Sequence, residues 1–294
     1  MGTISTEAID RIVDQREYPL GEPDGLAWQK VVSQARQSLD ATGSCVLPGF
    51  VGPAARQTLG AECASIARHA YFDVETVNVY NKPAEPSWPD DHPGRIPMQR
   101  SNAFVAADRI PAGFMIAQLY GSDRFRRFVA DCFGLPRLYP LADPLASLVL
   151  NVVRSGHEHP WHFDTNEFTV SMVTQQPQAG GVFEYCPNLR SAADENFADV
   201  RDVLTGHGEQ LIRRLPLRPG DLQLFRGRYS LHRVSRVEGG TDRHSAIFAY
   251  CEQPGVVGTV ARTRQLFGRV LPAHLADQDR ADQDRAGRGD RLLD

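Results

Sequence analysis

One short segment of the sequence places several side chains that can bind metal close together. Residues 157–168 read HEHPWHFDTNEF, and within them His162 and Asp164 are two positions apart. In a β-strand, side chains two residues apart project from the same face of the sheet. An imidazole and a carboxylate on one strand can therefore converge on a single divalent metal ion.

A third candidate ligand, His232, follows seventy residues later in SLHRVS, a segment with the composition of a strand. Two neutral imidazoles and one carboxylate form the facial triad of non-haem Fe(II) oxygenases, which leaves coordination positions open for other reactants. We therefore predict that His162, Asp164 and His232 are the metal ligands and the catalytic centre. An HxD pair alone also occurs by chance on the polar face of a surface strand, so the prediction depends on His232 and the residues after it.

The residues after His232 narrow the chemistry. Arg243 and Ser245 share a strand face, and a guanidinium beside a hydroxyl suits bidentate binding of a carboxylate. Such a clamp beside iron is what the use of 2-oxoglutarate requires, because the keto-acid end chelates the metal and the far carboxylate pairs with the arginine. The alternative is a surface ion pair of Arg243 with Asp242 or Glu238.

These motifs resemble those of the Fe(II)/2-oxoglutarate-dependent dioxygenase superfamily. Residues 150–185 and 217–255 are similar to a narrower branch, which contains the free amino-acid halogenases and their hydroxylating relatives. The resemblance is clearest over residues 145–255 and weaker in the N-terminal half. It implies a double-stranded β-helix (jelly-roll) core. It also implies Fe(II), 2-oxoglutarate and O2 as reactants, with release of succinate and CO2.

One residue departs from the halogenating members of that branch, which carry Gly or Ala at the carboxylate position and so leave room for chloride on iron. Asp164 fills that position in this chain. The resemblance then implies hydroxylation of a small molecule, namely a free amino acid or an amino-acid derivative in specialised metabolism. Desaturation or ring closure stays open, as does another small metabolite such as a nucleoside.

Further candidate residues carry weaker signals than the metal ligands. Asn151, on the preceding strand, is a candidate for hydrogen bonding to 2-oxoglutarate, and Arg100 for binding a substrate or co-substrate carboxylate. His159 either contacts the substrate or caps a loop. The resemblance adds Thr165 and Phe267 as candidates for the substrate pocket. Four histidines far from the cluster in sequence are expected at the surface: His69, His92, His207 and His274.

The elements that must position these residues change in character along the chain. Apolar spacing predicts helices at 25–42, 51–71 and 122–133. From about 145 to 255, short β-rich segments alternate with turn residues, which is typical of a β-sandwich or barrel. We predict an α+β, mainly β fold with N-terminal helices packed on a jelly-roll core. It forms a single dioxygenase domain over residues 1–275, helical to about 140, with the core at about 141–255.

Two other segments have unusual composition. Residues 81–97 carry five prolines and predict a long loop over which substrate enters, in the manner of a lid. The last residues, 276–294, repeat the sequence ADQDR and are almost entirely charged or small. Such a segment buries too little apolar area to order itself, which predicts a disordered tail.

Composition and charge disfavour several classes of function. The net charge is −4 with scattered arginines, so there is no basic footprint for nucleic acid or for an anionic membrane. No apolar run approaches the roughly 20 residues needed to span a bilayer, and the N-terminus lacks a secretory apolar region. Five cysteines without a CxxC motif indicate reduced thiols and a cytoplasmic protein. The predicted partner is a small-molecule substrate, and a homodimer stays open.

Two other classes compete with a dioxygenase. A cupin-like metal lyase or isomerase has a similar barrel, but it has no use for Arg243 and Ser245. A jelly-roll binding module without enzymatic activity has no reason to place two histidines and an aspartate around one ion. Ligand binding that is independent of iron would favour that second alternative.

Overall fold

The computed structural model describes residues 6–276, so the tail predicted at 276–294 lies, except for Ala276, outside the described residues. The α-helices are α1 (Thr6–Ile12), α2 (Leu26–Thr42), α3 (Pro53–Ile66), α4 (Met115–Tyr120), α5 (Asp123–Phe133), α6 (Phe197–Leu204) and α7 (Val260–Phe267). The β-strands are β1 (Ser44–Leu47), β2 (Tyr71–Phe72), β3 (Glu75–Val77), β4 (Met98–Arg100), β5 (Ala103–Val105), β6 (Tyr139–Pro140), β7 (Leu148–Val153), β8 (His159–His162), β9 (Thr169–Gln175), β10 (Ala179–Gly180), β11 (Phe183–Cys186), β12 (Arg213–Leu215), β13 (Leu222–Phe225), β14 (Leu231–Val234), β15 (Val237–Glu238), β16 (Arg243–Phe248) and β17 (Tyr250–Cys251).

The three predicted helices are present as α2, α3 and α5, and local sequence signals explain where they end. α2 ends at Gly43, whose φ of 70° lies in the left-handed region that glycine adopts without strain. At the start of α5, Ser122 Oγ accepts a hydrogen bond from the Phe125 N–H at 3.3 Å, as an N-cap does. α3 is shorter than the predicted 51–71, because a 3-10 turn and β2 follow it.

Two antiparallel sheets form the predicted jelly-roll core. The large sheet has the strand order β1-β13-β9-β16-β7-β5-β2, and the small sheet has the order β12-β11-β14-β8. From β7 to β9, and again from β13 to β16, the chain crosses from the large sheet to the small one and back. This alternation between two facing sheets is the pattern of a jelly-roll.

The two faces of the large sheet have different roles. On β7 and β16, Leu150 and Ala246 belong to the main hydrophobic core, which also contains the buried side chains of α2, α3 and α5. Because successive side chains alternate between faces, Asn151 on β7 and the pair Arg243 and Ser245 on β16 project from the opposite face. The helices therefore cover one face of the sheet and leave the other face for polar residues of the site.

The N-terminal half contains more β-structure than the predicted helical segment to about 140. β1 lies at one edge of the large sheet, and β5 and β2 lie at the other. These strands are only two to four residues long, too short for an alternating pattern to stand out in the sequence. α7 is also absent from the predicted elements, although Thr259 caps its start and Gly268 follows its end.

The proline-rich segment 81–97 is largely irregular, as predicted, and aromatic stacking holds it against the small sheet. The rings of Trp88 and His92 pack against Tyr80 with 6.4 and 5.8 Å between centroids, and Tyr80 stacks on Phe163, just after β8, at 5.9 Å. His92 is buried in this group, so its expected place at the surface is wrong. The segment is thus anchored by its aromatic side chains directly beside the strand that carries His162.

Candidate active site

Two neighbouring strands of the small sheet bring the three predicted metal ligands together. His162 ends β8, Asp164 follows it, and His232 lies on β14 directly opposite His162 in the strand register. One donor atom from each residue lies within 4.8 Å of the others. Asp164 Oδ1 is 3.5 Å from His162 Nε2 and 3.4 Å from His232 Nε2. The three side chains therefore converge on one point, with both histidines buried.

Backbone carbonyl groups orient both imidazoles toward that point. His162 Nδ1 lies 2.8 Å from the carbonyl oxygen of Pro160, and His232 Nδ1 lies 2.9 Å from that of Ser230. A carbonyl only accepts hydrogen bonds, so each Nδ1 carries the proton and donates it. Each Nε2 is then left with a free lone pair, which is the tautomer that a metal ligand needs.

Asp164 is held in place from two sides. Thr169 Oγ1 donates a hydrogen bond to Asp164 Oδ2 at 2.6 Å, and the backbone N–H of Asp164 donates to the carbonyl of Gly227 at 3.1 Å. Burial by itself raises the pKa of Asp164, but its proximity to His232 and His162 holds that pKa well below its ordinary value. The carboxylate is therefore ionised and positioned before any metal binds.

Gly227 leaves the space that the Asp164 carboxylate occupies. A Cβ atom at position 227 would lie 1.9 Å from Asp164 Oδ2, well inside van der Waals contact. We expect Gly227→Ala to push the carboxylate off its position and to weaken divalent metal binding by about 10- to 100-fold, as loss of a ligand's support does. Metal titration followed by calorimetry measures this change.

A second glycine provides the control for that substitution. Nothing lies within 4 Å of a Cβ added at Gly113, so Gly113→Ala should bind metal like the wild type. Equal metal affinity of Gly227→Ala and Gly113→Ala would contradict the role of Gly227.

The predicted carboxylate clamp lies on the large sheet. Arg243 Nη1 donates a hydrogen bond to Ser245 Oγ at 2.8 Å, and both side chains are buried. Burial lowers the pKa of Arg243 to about 10, which still leaves the guanidinium charged at neutral pH. Within residues 6–276 no carboxylate lies within 4.0 Å of it, so the alternative of an ion pair with Asp242 or Glu238 is wrong. A buried cation without a counter-ion is the environment expected of an anion-binding site.

Aromatic side chains connect the clamp to the triad. Phe183 on β11 and Arg243 line the same cavity, and the Phe183 ring stacks on His232 with 5.7 Å between centroids. Phe225 packs edge-on against His232 at 4.8 Å. Asn151 lies opposite Ser245 in the strand register. Phe183 thus lines the cavity that holds Arg243 and also contacts His232, which links the clamp to the triad.

A family model described as Halogenase D matches residues 95–262, which is more than half of the chain and includes the three ligands and Arg243. The chain belongs to the halogenase D family. A search of curated proteins found no significant match. No helix in the part of the chain that the structure describes is long and apolar enough to cross a membrane.

Solved structures with the same fold were also found. The carbocyclase SnoK from nogalamycin biosynthesis superposes with a TM-score of 0.52 at 14% identity, covering 76% of this chain and 85% of its own. AviO1 from Streptomyces viridochromogenes gives 0.52 at 16% identity, with coverage of 76% and 96%. HygX from Streptomyces hygroscopicus, with nickel, 2-oxoglutarate and hygromycin B bound, gives 0.51 at 15%, with coverage of 76% and 88%.

The family match and the shared fold together confirm the predicted superfamily. At these identities the structural likeness shows the fold, which is the mainly β jelly-roll of the Fe(II)/2-oxoglutarate oxygenases. Membership of the halogenase D family agrees with the predicted branch of amino-acid halogenases and their relatives. The protein is therefore an enzyme of the dioxygenase superfamily, and the His-Asp-His group has the donor set of its facial triad.

Two of the predicted substrate residues lie beside the triad of this family member. The His159 ring stacks on His162 with 4.0 Å between centroids. Burial lowers the pKa of His159 well below its ordinary value, and the nearby guanidinium of Arg100 acts in the same direction, so the His159 imidazole is neutral. Arg100 is buried on β4, opposite Glu75 on β3, and forms an ion pair with it. Arg100 therefore lies buried in a strand and not exposed in a loop.

Other predicted residues are placed differently. Thr165 is exposed, and its carbonyl accepts a hydrogen bond from Arg228. Phe267 is buried in a hydrophobic cluster with Phe104, and no metal ligand belongs to that cluster. Asn151 Oδ1 accepts a hydrogen bond from Asn102 Nδ2 at 2.9 Å, so a neighbouring amide already occupies part of its capacity. Roles for Thr165, Phe267 and Asn151 stay predictions.

Several residues of the site were not predicted from the sequence. Thr169 and Gly227 support Asp164, and Arg262 on α7 is close enough for the charge of Asp164 to act on its pKa. The Thr259 cap and Gly268 could have indicated the helix that carries Arg262. His274 is buried and lies 3.2 Å from Asp143 Oδ2, so its expected surface position is also wrong.

Proposed function

We propose that this protein is an Fe(II)- and 2-oxoglutarate-dependent hydroxylase of a small molecule, a free amino acid or an amino-acid derivative. The observation that carries the proposal is the carboxylate of Asp164, which faces Nε2 of both histidines at 3.4–3.5 Å. Halogenating members of the branch that the sequence resembles have Gly or Ala at this position. With Asp164 in place, the coordination position that chloride needs is taken, and hydroxylation is the outcome that the site supports.

The three ligands fit Fe(II) in number, in the type of donor atom and in protonation state. His162 and His232 present lone pairs from Nε2, and Asp164 presents an ionised oxygen that Thr169 leaves free, since Thr169 binds the other oxygen. Iron with 2-oxoglutarate supplies, when bound, the activation of O2 and the oxidising power for C–H hydroxylation, with succinate and CO2 released. The protein's part is to hold the metal from one side and leave the other side open.

The buried guanidinium of Arg243 would bind the far carboxylate of 2-oxoglutarate. Ser245 supports it from the same strand face, and its charge is uncompensated within the described residues. A charge-assisted, water-excluded ion pair fixes the keto acid relative to the metal. Phe183 and Phe225 provide an apolar wall beside His232, which keeps bulk water from the reacting region.

The first test is anaerobic addition of Fe(II) and 2-oxoglutarate to the protein. The proposal expects a weak visible metal-to-ligand charge-transfer band that shifts when the substrate binds, followed in air by succinate and hydroxylated product. Bound iron without such a band would favour the cupin-like lyase or isomerase. A desaturated or cyclised product would support the oxygenase assignment but would contradict hydroxylation as the reaction.

Arg243 provides a sharper test of the co-substrate. In Arg243→Gln we expect the dissociation constant for 2-oxoglutarate, taken from the band, to rise about 100-fold, since losing one partner of a buried charge pair costs about 2–5 kcal/mol. Iron affinity should stay near that of the wild type.

The control for this arginine is Arg236→Gln, which removes an exposed guanidinium from the neighbouring segment and should leave 2-oxoglutarate binding unchanged. Unaltered binding in Arg243→Gln would contradict the clamp while leaving the metal site intact.

A further inference from the structure

A second group of charged side chains lies beside the triad and has no part in holding iron. It consists of Glu75, Arg100, Arg262 and Gln265, which we call the arginine cluster. Glu75 and Arg100 form an ion pair across β3 and β4. Gln265 joins the two arginines, because its carbonyl lies 3.4 Å from Arg100 Nη2 and its Oε1 accepts a hydrogen bond from Arg262 Nη1 at 2.5 Å.

The arginine cluster borders the metal site. Ser101, next to Arg100, exchanges hydrogen bonds of 3.3 Å with the backbone of Glu158, which ties the end of β4 to the start of β8 at His159. Burial lowers the pKa of Arg262 to about 10, and the charge of Arg100 acts in the same direction, whereas Asp164 raises it. α7 thus brings the guanidinium of Arg262 close enough to Asp164 and Arg100 for their charges to act on it.

The two arginines have hydrogen-bonding capacity that the protein leaves unused. Arg100 is only 4% exposed, and its Nη1 is buried without a hydrogen-bond partner among the described residues. Arg262 is partly buried, and within residues 6–276 no carboxylate lies within ion-pair distance of it. Unsatisfied buried donors on a cation are costly. The unpartnered donor of Arg100 and the uncompensated guanidinium of Arg262, which Gln265 joins, indicate a site completed by an anionic ligand.

A charge count defines that ligand further. Fe(II) with Asp164, a doubly charged 2-oxoglutarate and Arg243 would be neutral as a unit. In the arginine cluster, Glu75 offsets one guanidinium and leaves one positive charge. Asp73 also acts on Arg100, but it is exposed and already accepts hydrogen bonds from Tyr71 and from its neighbour's backbone. A substrate with a net charge of −1 would neutralise the pocket.

We infer that Arg262 is a substrate-binding residue and that the substrate is an acidic amino acid or a derivative with the same net negative charge. One carboxylate would bind to the free side of Arg100, the second to Arg262, and the ammonium group to Glu75. This inference rests on the proposed function, because it assigns a substrate class to the same site. It makes Arg262 the residue that selects an acidic side chain over its neutral amide.

The test compares acidic amino acids with their amides. The anaerobic protein with Fe(II) and 2-oxoglutarate is titrated with L-aspartate, L-glutamate, L-asparagine, L-glutamine and L-lysine, and dissociation constants are read from the shift of the charge-transfer band. We expect one acidic compound to bind at least about 10-fold more tightly than its amide and than lysine. In Arg262→Gln that preference should disappear through weaker binding of the acid, with binding of the amide retained.

Two variants control this experiment. Arg264→Gln removes an exposed arginine from the same helix and should keep the preference for the acid. Arg262→Lys keeps the charge and should keep part of the preference, which separates recognition from loss of folding.

Three results would overturn the inference: tighter binding of an amide or of lysine by the wild type, an unchanged preference in Arg262→Gln, or a band that no acidic compound shifts. Failure of the band to form at all counts against the proposed function instead. If no band forms, calorimetric titration of the same amino acids into the protein tests the role of Arg262 in substrate binding without 2-oxoglutarate.

Discussion

Replacement of His232 by alanine is expected to abolish tight Fe(II) binding. His232 supplies one of the two imidazoles, with its Nδ1 held by the Ser230 carbonyl, and alanine has no donor atom to replace Nε2. Loss of a supporting contact costs about 10- to 100-fold in metal affinity. Loss of the ligand itself should therefore cost at least about 100-fold. Iron content after dialysis and the thermal stabilisation given by added Mn(II) measure the effect, because a metal that binds only the folded state raises Tm.

His157 offers a matched control for that variant. It lies in the loop just before β8, and its ring packs against Phe72 at 5.0 Å rather than toward the ligands. His157→Ala should bind iron like the wild type. If His232→Ala contained as much iron as His157→Ala, His232 would not be a metal ligand and the triad assignment would be wrong.

Replacement of Asp164 by glycine is expected to keep the fold and to open a coordination position on iron. The two histidines remain on their paired strands, and Thr169 and Gly227 lose only the side chain that they position. We expect the hydroxylation rate to fall by at least about 100-fold and iron to bind more weakly. The Fe(II) spectrum should become sensitive to added chloride or azide, which the wild-type carboxylate excludes.

Asp164→Asn distinguishes the effect of an open coordination position from the effect of a lost charge. Asparagine keeps the volume of the side chain and removes its charge, so the iron spectrum of this variant should respond to anions much less than that of Asp164→Gly. An iron spectrum that is the same in Asp164→Gly and the wild type would argue against Asp164 as a ligand. Chlorination of a substrate is a stricter demand than anion binding, because chloride also needs supporting groups around it.

The family match makes the experiments on Asp164 informative. The chain belongs to the halogenase D family, yet it carries a carboxylate where the halogenating members that it resembles have Gly or Ala. In this chain the Thr169 hydroxyl donates a hydrogen bond to the Asp164 carboxylate, the backbone N–H of Asp164 donates to the Gly227 carbonyl, and Gly227 leaves the side chain room. These contacts indicate a position built for aspartate, and they make hydroxylation the proposed outcome within a family described by another reaction.

The sequence by itself predicted which side chains converge on the site and much of the local structure. His162 and Asp164 are two residues apart at the end of a strand, and the period-two geometry of a strand predicts that they face one ion. The same argument joins Arg243 to Ser245, and the structure contains that hydrogen bond. Ser122 at the start of α5 is another local signal, because a capping side chain acts on a backbone group three residues away.

Only the tertiary structure decided which distant segments meet. His232 reaches His162 because β14 pairs with β8, and the arginine cluster combines β3, β4 and α7, which are separated by up to about 190 residues. Gly227, in the turn after β13, matters only because Asp164 approaches it from the segment after β8. Side-chain periodicity and caps depend on near neighbours, and one sequence contains them directly. Contacts between segments depend on strand order and packing, which the pattern of any single segment does not specify.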